Sequence, residues 1–169
     1  MPIVAGDLKL YLSGGGANSD PNAALGGAIS ATEVTDNTLH NLFDKVLGAE
    51  ALAGDTEYRC VYIKNTHATL GLELAKVWID TNTPSGDSAF AIALGGEGAG
   101  GTAETIADES TAPVGESFSA PASYAAGLSL GTLAAGSYYP LWVRRVISAS
   151  AAAYSNDSAV LGIQGDTAA

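Results

Sequence analysis

The chain has 169 residues, of which 21 are glycine and only 15 % are charged, against about 25 % in an average domain. Seven Lys and Arg set against eighteen Asp and Glu give a formal net charge of −11. So few scattered cations cannot form the basic stripe that binds a phosphate backbone or an anionic membrane surface, and we expect neither nucleic acid nor membrane as a partner.

The first predicted element is a strand, because leucine occupies every second position within residues 7–12. Residues 14–22 follow it and are rich in Gly, Asn and Asp, which is typical of a long loop. Two interpretations of residues 1–22 remain open. The strand and loop either contact a neighbouring subunit by pairing with its sheet edge, or complete the sandwich of their own chain.

The next segment has helical spacing rather than strand spacing. The apolar residues at i, i+3, i+4, i+7 and i+8 are Leu39, Leu42, Phe43, Val46 and Leu47. Asp36 or Asn37 could cap the start of such a helix, and Gly48 could end it. We therefore expect at most one short helix near 37–47, with a strand as the alternative.

The rest of the chain alternates between short apolar strands and turn-forming segments. The predicted strands are 56–64, 69–74 with a continuation at 77–79 after an irregularity at 75–76, 88–94, 103–107, 116–119, 128–130, 138–147 and 159–164. Segments rich in Gly, Pro, Asn and Ser separate them at 82–87, 95–101 and 134–137. No linker divides the chain, so residues 1–169 are predicted to be one domain.

Eight or nine short strands with regular turns predict an all-β fold, a two-sheet antiparallel sandwich of jelly-roll type. The predicted core residues are Leu10, Leu12, Tyr58, Cys60, Tyr62, Leu72, Val77, Trp78, Ile92, Trp142, Val143 and Ile163. A lone cysteine excludes an internal disulfide. The first residues lack the basic region of a secretory signal.

Motifs for catalysis or cofactor binding are weak in this sequence. Residues 96–101 fit G-x-G-x-x-G, but a β-like acidic segment follows instead of the helix that dinucleotide binding requires. His40 and His67 have no nearby ligand partners for a metal. Cys60 lies within a strand pattern, where a buried and inert thiol is the expected state. We therefore expect no catalytic residue, no cofactor and no metal site.

The eighteen carboxylates leave two other possibilities. A glycosidase needs two carboxylates across a cleft, which sequence cannot place, and we rank a hydrolase last. No calcium-loop motif occurs, although a surface Ca²⁺ at acidic loop tips stays open. The simplest interpretation of these carboxylates is a solvated acidic surface.

Arg144 and Arg145 form the only basic pair, directly after Trp142. Neighbouring residues of a strand point to opposite faces, so one arginine should face inward or toward a partner. A buried arginine needs a carboxylate. An internal salt bridge and an inter-subunit pair both remain open.

Several segments together resemble small virion proteins of tailed bacteriophages. These segments are GDTEYRCVYIKN at 54–65, AETIADESTAP at 103–113, FSAP at 118–121, LWVRR at 141–145 and GDT at 165–167. Proteins of that kind are capsid cement or decoration proteins with β-sandwich folds, often jelly rolls, and have no catalytic residues. The resemblance implies a trimer or dimer that binds the major capsid protein at the capsid surface. Similar proteins also occur in phage tails, so the location of this chain in the head or in the tail stays open.

The implied role agrees with the composition. A chain without disulfides suits assembly in the reducing cytoplasm of a bacterial host. We expect contacts through the N-terminal segment and the loops 14–22 and 95–101, which composition predicts to be mobile until a partner orders them, and through the basic pair. The predicted contact residues are Pro2, Ile3, Val4, Leu8, Lys9, Asn18, Asp20, Asn22, Glu97, Arg144 and Arg145.

The alternative function is a carbohydrate-binding module or adhesin associated with a tail or fibre. Such modules stack sugars on exposed aromatic side chains. The candidates are Tyr124, Tyr138, Tyr139 and Tyr154. An exposed cluster of these tyrosines would favour this alternative.

Overall fold

The computed structural model describes residues 1–167, so the last two residues of the predicted domain 1–169 lie outside the described residues. The strands are β1 (Leu8–Leu12), β2 (Gly26–Gly27), β3 (Asp55–Asn65), β4 (Leu72–Thr81), β5 (Ser88–Leu94), β6 (Ala103–Thr105), β7 (Leu128–Leu133), β8 (Tyr138–Ile147) and β9 (Val160–Thr167). One α-helix, α1 (Gly48–Ala53), and two 3₁₀ turns, Ala5–Asp7 and Pro21–Ala23, complete the elements of this part of the chain.

The strands form three antiparallel sheets. A four-stranded sheet has the order β1-β3-β8-β5, a three-stranded sheet has the order β7-β4-β9, and β2 pairs with β6. The predicted all-β antiparallel sandwich is confirmed. Jelly-roll connectivity is not confirmed by this strand order and stays a prediction.

The two faces of β3 explain how the sheets are layered. Val61 and Ile63 point into the core between the four-stranded and three-stranded sheets. Cys60 and Tyr62 alternate with them and point into a second core with Ala103 of β6. Because successive side chains of a strand face opposite ways, a central strand that is buried on both faces reads as a continuous apolar run.

The predicted core is largely confirmed. Fully buried members are Leu12, Cys60, Tyr62, Leu72, Val77, Ile92, Trp142 and Val143. Leu10, Tyr58, Trp78 and Ile163 are only half-buried. Leu10 and Ile163 lie on strands at the margins of their sheets, where no further strand covers them.

The prediction of at most one short helix is confirmed for the described residues, but the helix does not lie at 37–47. The segment consists of turns and bends, and the helix α1 begins only at Gly48. Asn37 and His40 have φ angles of 55° and 59°, in the left-handed region that a right-handed helix cannot contain. Gly48 therefore does not end a helix, and Gly54, with φ 78°, follows α1 instead.

Three further predictions were resolved by strand pairing. The expected irregularity at 75–76 is confirmed, because the β4 register shifts there and the neighbouring Leu74 has φ 49°. Residues 116–119 form no strand and contribute only a single bridge between Ser119 and Ile92. Strand β1 pairs with β3 along its full length, so the N-terminal strand completes the sandwich of its own chain.

Candidate functional site

Two of the predicted contact residues, Leu8 and Lys9, lie together at one side of the sandwich. Ile3 packs against the core between the sheets. Leu8 and Lys9 line a cavity of about 450 Å³ between β1 and β9, which we call the side groove. The other residues that line it are Ala5, Leu10, Glu33, Val34, Thr35, Asp36, Leu161 and Ile163. Pro2 and Val4 are exposed beside this region of the chain.

The side groove is lined by apolar and charged side chains together. Lys9 Nζ donates to Glu33 Oε2 at 2.7 Å, and this bond raises the pKa of Lys9 above its ordinary value. Asp36 adds a second carboxylate to the lining.

The loop 14–22 is fixed by hydrogen bonds within its own chain. Asn18 Nδ2 donates to the Ser13 carbonyl at 2.6 Å, and the Asn18 carbonyl accepts from Ser30 Oγ and Thr32 Oγ1. Asp20 Oδ1 accepts from the amide of Asn22. The expectation that only a partner would order this loop was therefore wrong, since short polar side chains satisfy its backbone internally.

The loop 95–101 is also fixed within the chain. Glu97 Oε1 accepts the amide of Glu104 at 2.8 Å, and the Gly100 amide donates to the Tyr138 carbonyl at 2.7 Å. Gly98 and Gly101 close consecutive turns over the same segment. Here too the expectation of an unpartnered mobile tip was wrong. Glu97 remains exposed.

The basic pair divides between the two faces of β8, as expected for adjacent strand residues. Arg145 is buried and forms an ion pair with Glu57 of β3, with Nε 2.5 Å from Oε2. Its Nη1 also donates to the Asp44 carbonyl at 2.8 Å. Of the two open alternatives, Arg145 therefore takes the internal salt bridge. Arg144 lies on the other face, with its guanidinium 5.2 Å from the Phe118 ring centroid.

A second buried arginine, Arg59, lies near this ion pair, and the sequence did not predict its burial. Arg59 is 0 % exposed, forms an ion pair with Glu109, and donates to Asn22 Oδ1 at 3.2 Å. Phe43 lies between the two buried arginines, with its ring centroid 5.4 Å from Arg59 and 4.8 Å from Arg145. We call these residues the arginine cluster. The alternation of residues along β3 did not indicate the arginine cluster, because Arg59 lies within an apolar run.

Electrostatics in the arginine cluster are set by burial. Burial raises the pKa of Glu57 above its ordinary value, and the Arg145 guanidinium offsets only part of that effect. Asn22, a predicted contact residue, is used here as an internal acceptor for Arg59. The cluster is therefore suited to joining β3, the loops and residues 43–44, and presents no open site for a substrate.

Four of the large exposed aliphatic side chains fall in one stretch of sequence, residues 39–52, which we call the apolar segment. Its members with large exposure are Leu39, Val46, Leu47 and Leu52. Leu39 is 68 % exposed and Leu52 is 72 % exposed, while Phe43 and the Asp44 carbonyl anchor the segment to the core and to Arg145. Sequence reasoning placed Leu39, Val46 and Leu47 on the apolar stripe of a helix and assigned no role to Leu52. The polar residues around them could have indicated exposure.

Side chains with reactive chemistry are dispersed. Within residues 1–167 no group of three or more His, Cys, Asp or Glu side chains could hold a metal ion. Burial raises the pKa of the Cys60 thiol well above its usual range, so it is not a nucleophile at neutral pH. His67 Nδ1 accepts from the amides of Thr69 and Leu70, a role in the turn between β3 and β4.

The aromatic candidates do not come together as a group of four. Tyr138 packs edge-on against the buried Tyr62, at 5.3 Å between centroids, and Tyr154 is exposed elsewhere. Tyr124 instead packs edge-on against Trp78 of β4, at 6.0 Å. Trp78 was missed as a partner of Tyr124 because we predicted it to be a core residue.

Comparisons of the chain with protein-family models, with curated proteins and with solved structures gave no match. Among the described residues, no helix has the length and apolar character needed to cross a membrane.

Proposed function

We propose that this chain is a structural virion protein, a capsid cement or decoration protein that binds the major capsid protein of a tailed bacteriophage and associates with itself. The observation that carries this proposal is the apolar segment, because several large aliphatic side chains exposed within one stretch of chain are the kind of surface that a protein partner covers. The proposed location is the capsid surface, after assembly in the bacterial host cytoplasm. No enzymatic activity is part of the proposal.

The outward leucines of the apolar segment are exposed instead of packing into the core, and we infer that they bind a partner. Its backbone is anchored through Phe43 and Asp44, so its outward leucines are held in place before a partner arrives. Covering a fully exposed leucine contributes about 1.5–3 kcal/mol. A few such side chains per copy give a weak contact that gains avidity when an oligomer engages several sites of a repetitive shell.

Charge adds a constraint on the partner. At −11 the chain repels other acidic surfaces, so the docking site on the major capsid protein should carry basic residues around an apolar centre. Asp44 and Lys45 are exposed between Leu39 and Val46, so the segment carries charged residues of both signs among its exposed aliphatic side chains. Protein interfaces combine apolar and polar contacts in the same way.

The test is mass spectrometry of mature particles together with binding of the purified chain to particles that lack it. A copy number close to that of the major capsid protein supports a shell component. Absence from mature particles would overturn the proposal, and a handful of copies would place the protein in the tail.

Variants of the apolar segment identify the docking surface. The double variant Leu39→Ser with Leu52→Ser should fold like the wild type and lose at least about tenfold in particle affinity, because both side chains are exposed. The matched control is Val114→Ser, a residue that is 82 % exposed outside the segment and should leave binding unchanged. Equal affinities for all three proteins would exclude the segment as the docking surface.

A carbohydrate-binding module is the second candidate, and the pair Trp78–Tyr124 is the observation that favours it. Both rings are half-exposed on the three-stranded sheet, with Lys76 and Asp80 as neighbouring polar groups. A glycan array should then show binding that Tyr124→Ala abolishes. An array without binding would remove this candidate.

A further inference from the structure

Strand β9 is an edge strand with an open side. It pairs only with β4, from Leu72 opposite Thr167 to Thr81 opposite Val160. Among the described residues, none of its outward backbone groups has a hydrogen-bond partner beyond that ladder. An unpaired row of N–H and C=O groups along a strand is a template for pairing with another strand.

The other edges of the two larger sheets are covered or interrupted. The outer side of β1 is covered by residues 30–34, with Leu12 donating to the Thr32 carbonyl. The outer side of β5 is covered by the Asn82 amide, which pairs with the backbone of Phe90, and by Ser119. Strand β7 is interrupted by Gly131, whose φ is 72°. The edge of β9 is regular by comparison, since none of its residues has a positive φ.

The composition of β9 lacks the usual protection of an edge. It contains no proline and no lysine, and Asp166 is its one charged residue. Natural edge strands are normally blunted by charges, prolines or bulges. On a chain with a net charge of −11, this nearly neutral strand is where a second copy can approach with the least repulsion.

We propose that two copies of this chain pair their β9 strands antiparallel about a two-fold axis, which joins the two three-stranded sheets into one six-stranded sheet. Identical strands suit this arrangement because a two-fold interface uses the same surface on both subunits. Eight residues give an edge about 27 Å long. The half-buried Leu161 and Ile163 at the side groove become covered as the second strand is added.

The charge pattern agrees with an axis near the middle of the strand. If the axis passes at Ile163, Asp166 lies opposite Val160 of the partner subunit. If it passes at Gly162, Asp166 lies opposite Ser158 of the partner subunit. In neither register do two carboxylates lie opposite each other, so two β9 strands can pair without like-charge repulsion.

This inference deepens only the self-association part of the proposed function. It concerns the purified chain free of particles, whereas docking to the major capsid protein is measured on particles. A chain that fails to dimerise therefore overturns the inference and leaves the particle-binding result to decide the proposed function.

The experiment is sedimentation equilibrium of the full chain over a wide range of concentration. The wild type should show a monomer–dimer equilibrium. Val160→Glu with Gln164→Glu places carboxylates near each other in both registers and should weaken the Kd by about tenfold or more. Both positions are exposed, so the fold is kept. The matched control Ser129→Glu with Thr132→Glu adds the same charges at exposed positions of β7 and should dimerise like the wild type.

Exchanging the sign of the introduced charges provides the decisive test. Val160→Lys with Gln164→Lys, mixed with the double glutamate variant, should form a heterodimer that is tighter than the homodimer of the double glutamate variant. Hydrogen exchange of the wild type should also show amides of 160–167 that become protected as concentration rises. A wild type that stays monomeric, exchange in 160–167 that is independent of concentration, or a β7 control as weak as the β9 variant would each overturn the inference.

Discussion

At the scale of single residues, the ion pair between Arg145 and Glu57 is the contact whose loss should matter most. Both side chains are buried, and removing one partner leaves the other charge without compensation. Arg145→Met should lower the free energy of unfolding by about 3–5 kcal/mol. Adding Glu57→Gln to that variant should recover much of the loss, because no buried charge then remains at the pair.

Chemical denaturation of the four proteins in this cycle measures the coupling. Lys45→Met is the control, since it removes an exposed cation and should change the free energy of unfolding by no more than about 0.5 kcal/mol. Additive effects of the two substitutions would show that the pair does not stabilise the fold as a unit.

The raised pKa of Glu57 predicts a pH dependence with a definite sign. The folded chain holds this proton more tightly than the unfolded chain, whose carboxyl has the ordinary value of 4.5. The group therefore adds stability below the unfolded value, and that stability is lost as pH rises through the folded pKa. From neutral pH down to about 4.5, the wild type should gain free energy of unfolding relative to Glu57→Gln. A relative loss on acidification would place the folded pKa below 4.5 instead.

At the scale of elements, the sequence predicted long periodic strands well and irregular segments poorly. The strand pattern of β3 and β8 extends over ten residues or more. Because these strands are buried on both faces, their sequences also contain a clear apolar run. The segment 37–47 has helical spacing, yet Asn37 and His40 take left-handed backbone angles and only Leu42 and Phe43 reach the core. Tertiary packing determines that conformation, and the spacing of apolar residues alone does not predict it.

Candidate site residues were harder to predict for the same reason. Composition marked the loop 14–22 as mobile, but hydrogen bonds from Asn18 and Asp20 to distant or local backbone groups hold it in place. The arginine cluster joins Arg59 and Arg145 through Phe43, and this arrangement depends on contacts between elements far apart in sequence. Leu8 and Lys9, which were predicted as contact residues, line the side groove, and their contact with a partner stays a prediction.

The pairing of β4 with β9 depends on a glycine. A Cβ at Gly162 would lie 2.2 Å from Trp78 Cε2, so the indole ring lies directly over the strand. Gly162→Ala should displace that ring, lower the free energy of unfolding by about 1–3 kcal/mol, and alter tryptophan fluorescence. Gly86→Ala is the control, because nothing lies within 4 Å of its Cβ position. Equal stability of the two variants would show that Trp78 does not pack on Gly162.

At the scale of the whole molecule, net charge and exposed apolar surface act in opposite directions. The charge of −11 keeps free copies apart, while the apolar segment and the edge of β9 favour association. The two proposed contacts differ in the charge of the partner. Self-association joins two acidic chains, whereas docking joins an acidic chain to a surface that should be basic.

Salt therefore separates the two contacts by sign. Raising the salt concentration from about 0.1 M to about 1 M shortens the screening length from about 10 Å to about 3 Å. Dimerisation through β9 should tighten over this range because repulsion between two chains of −11 is screened. Binding to particles should weaken because an attraction is screened. Sedimentation of the free chain measures the first effect and co-sedimentation with particles the second. Particle binding that tightens with salt would exclude a basic docking surface and make apolar contacts the dominant attraction.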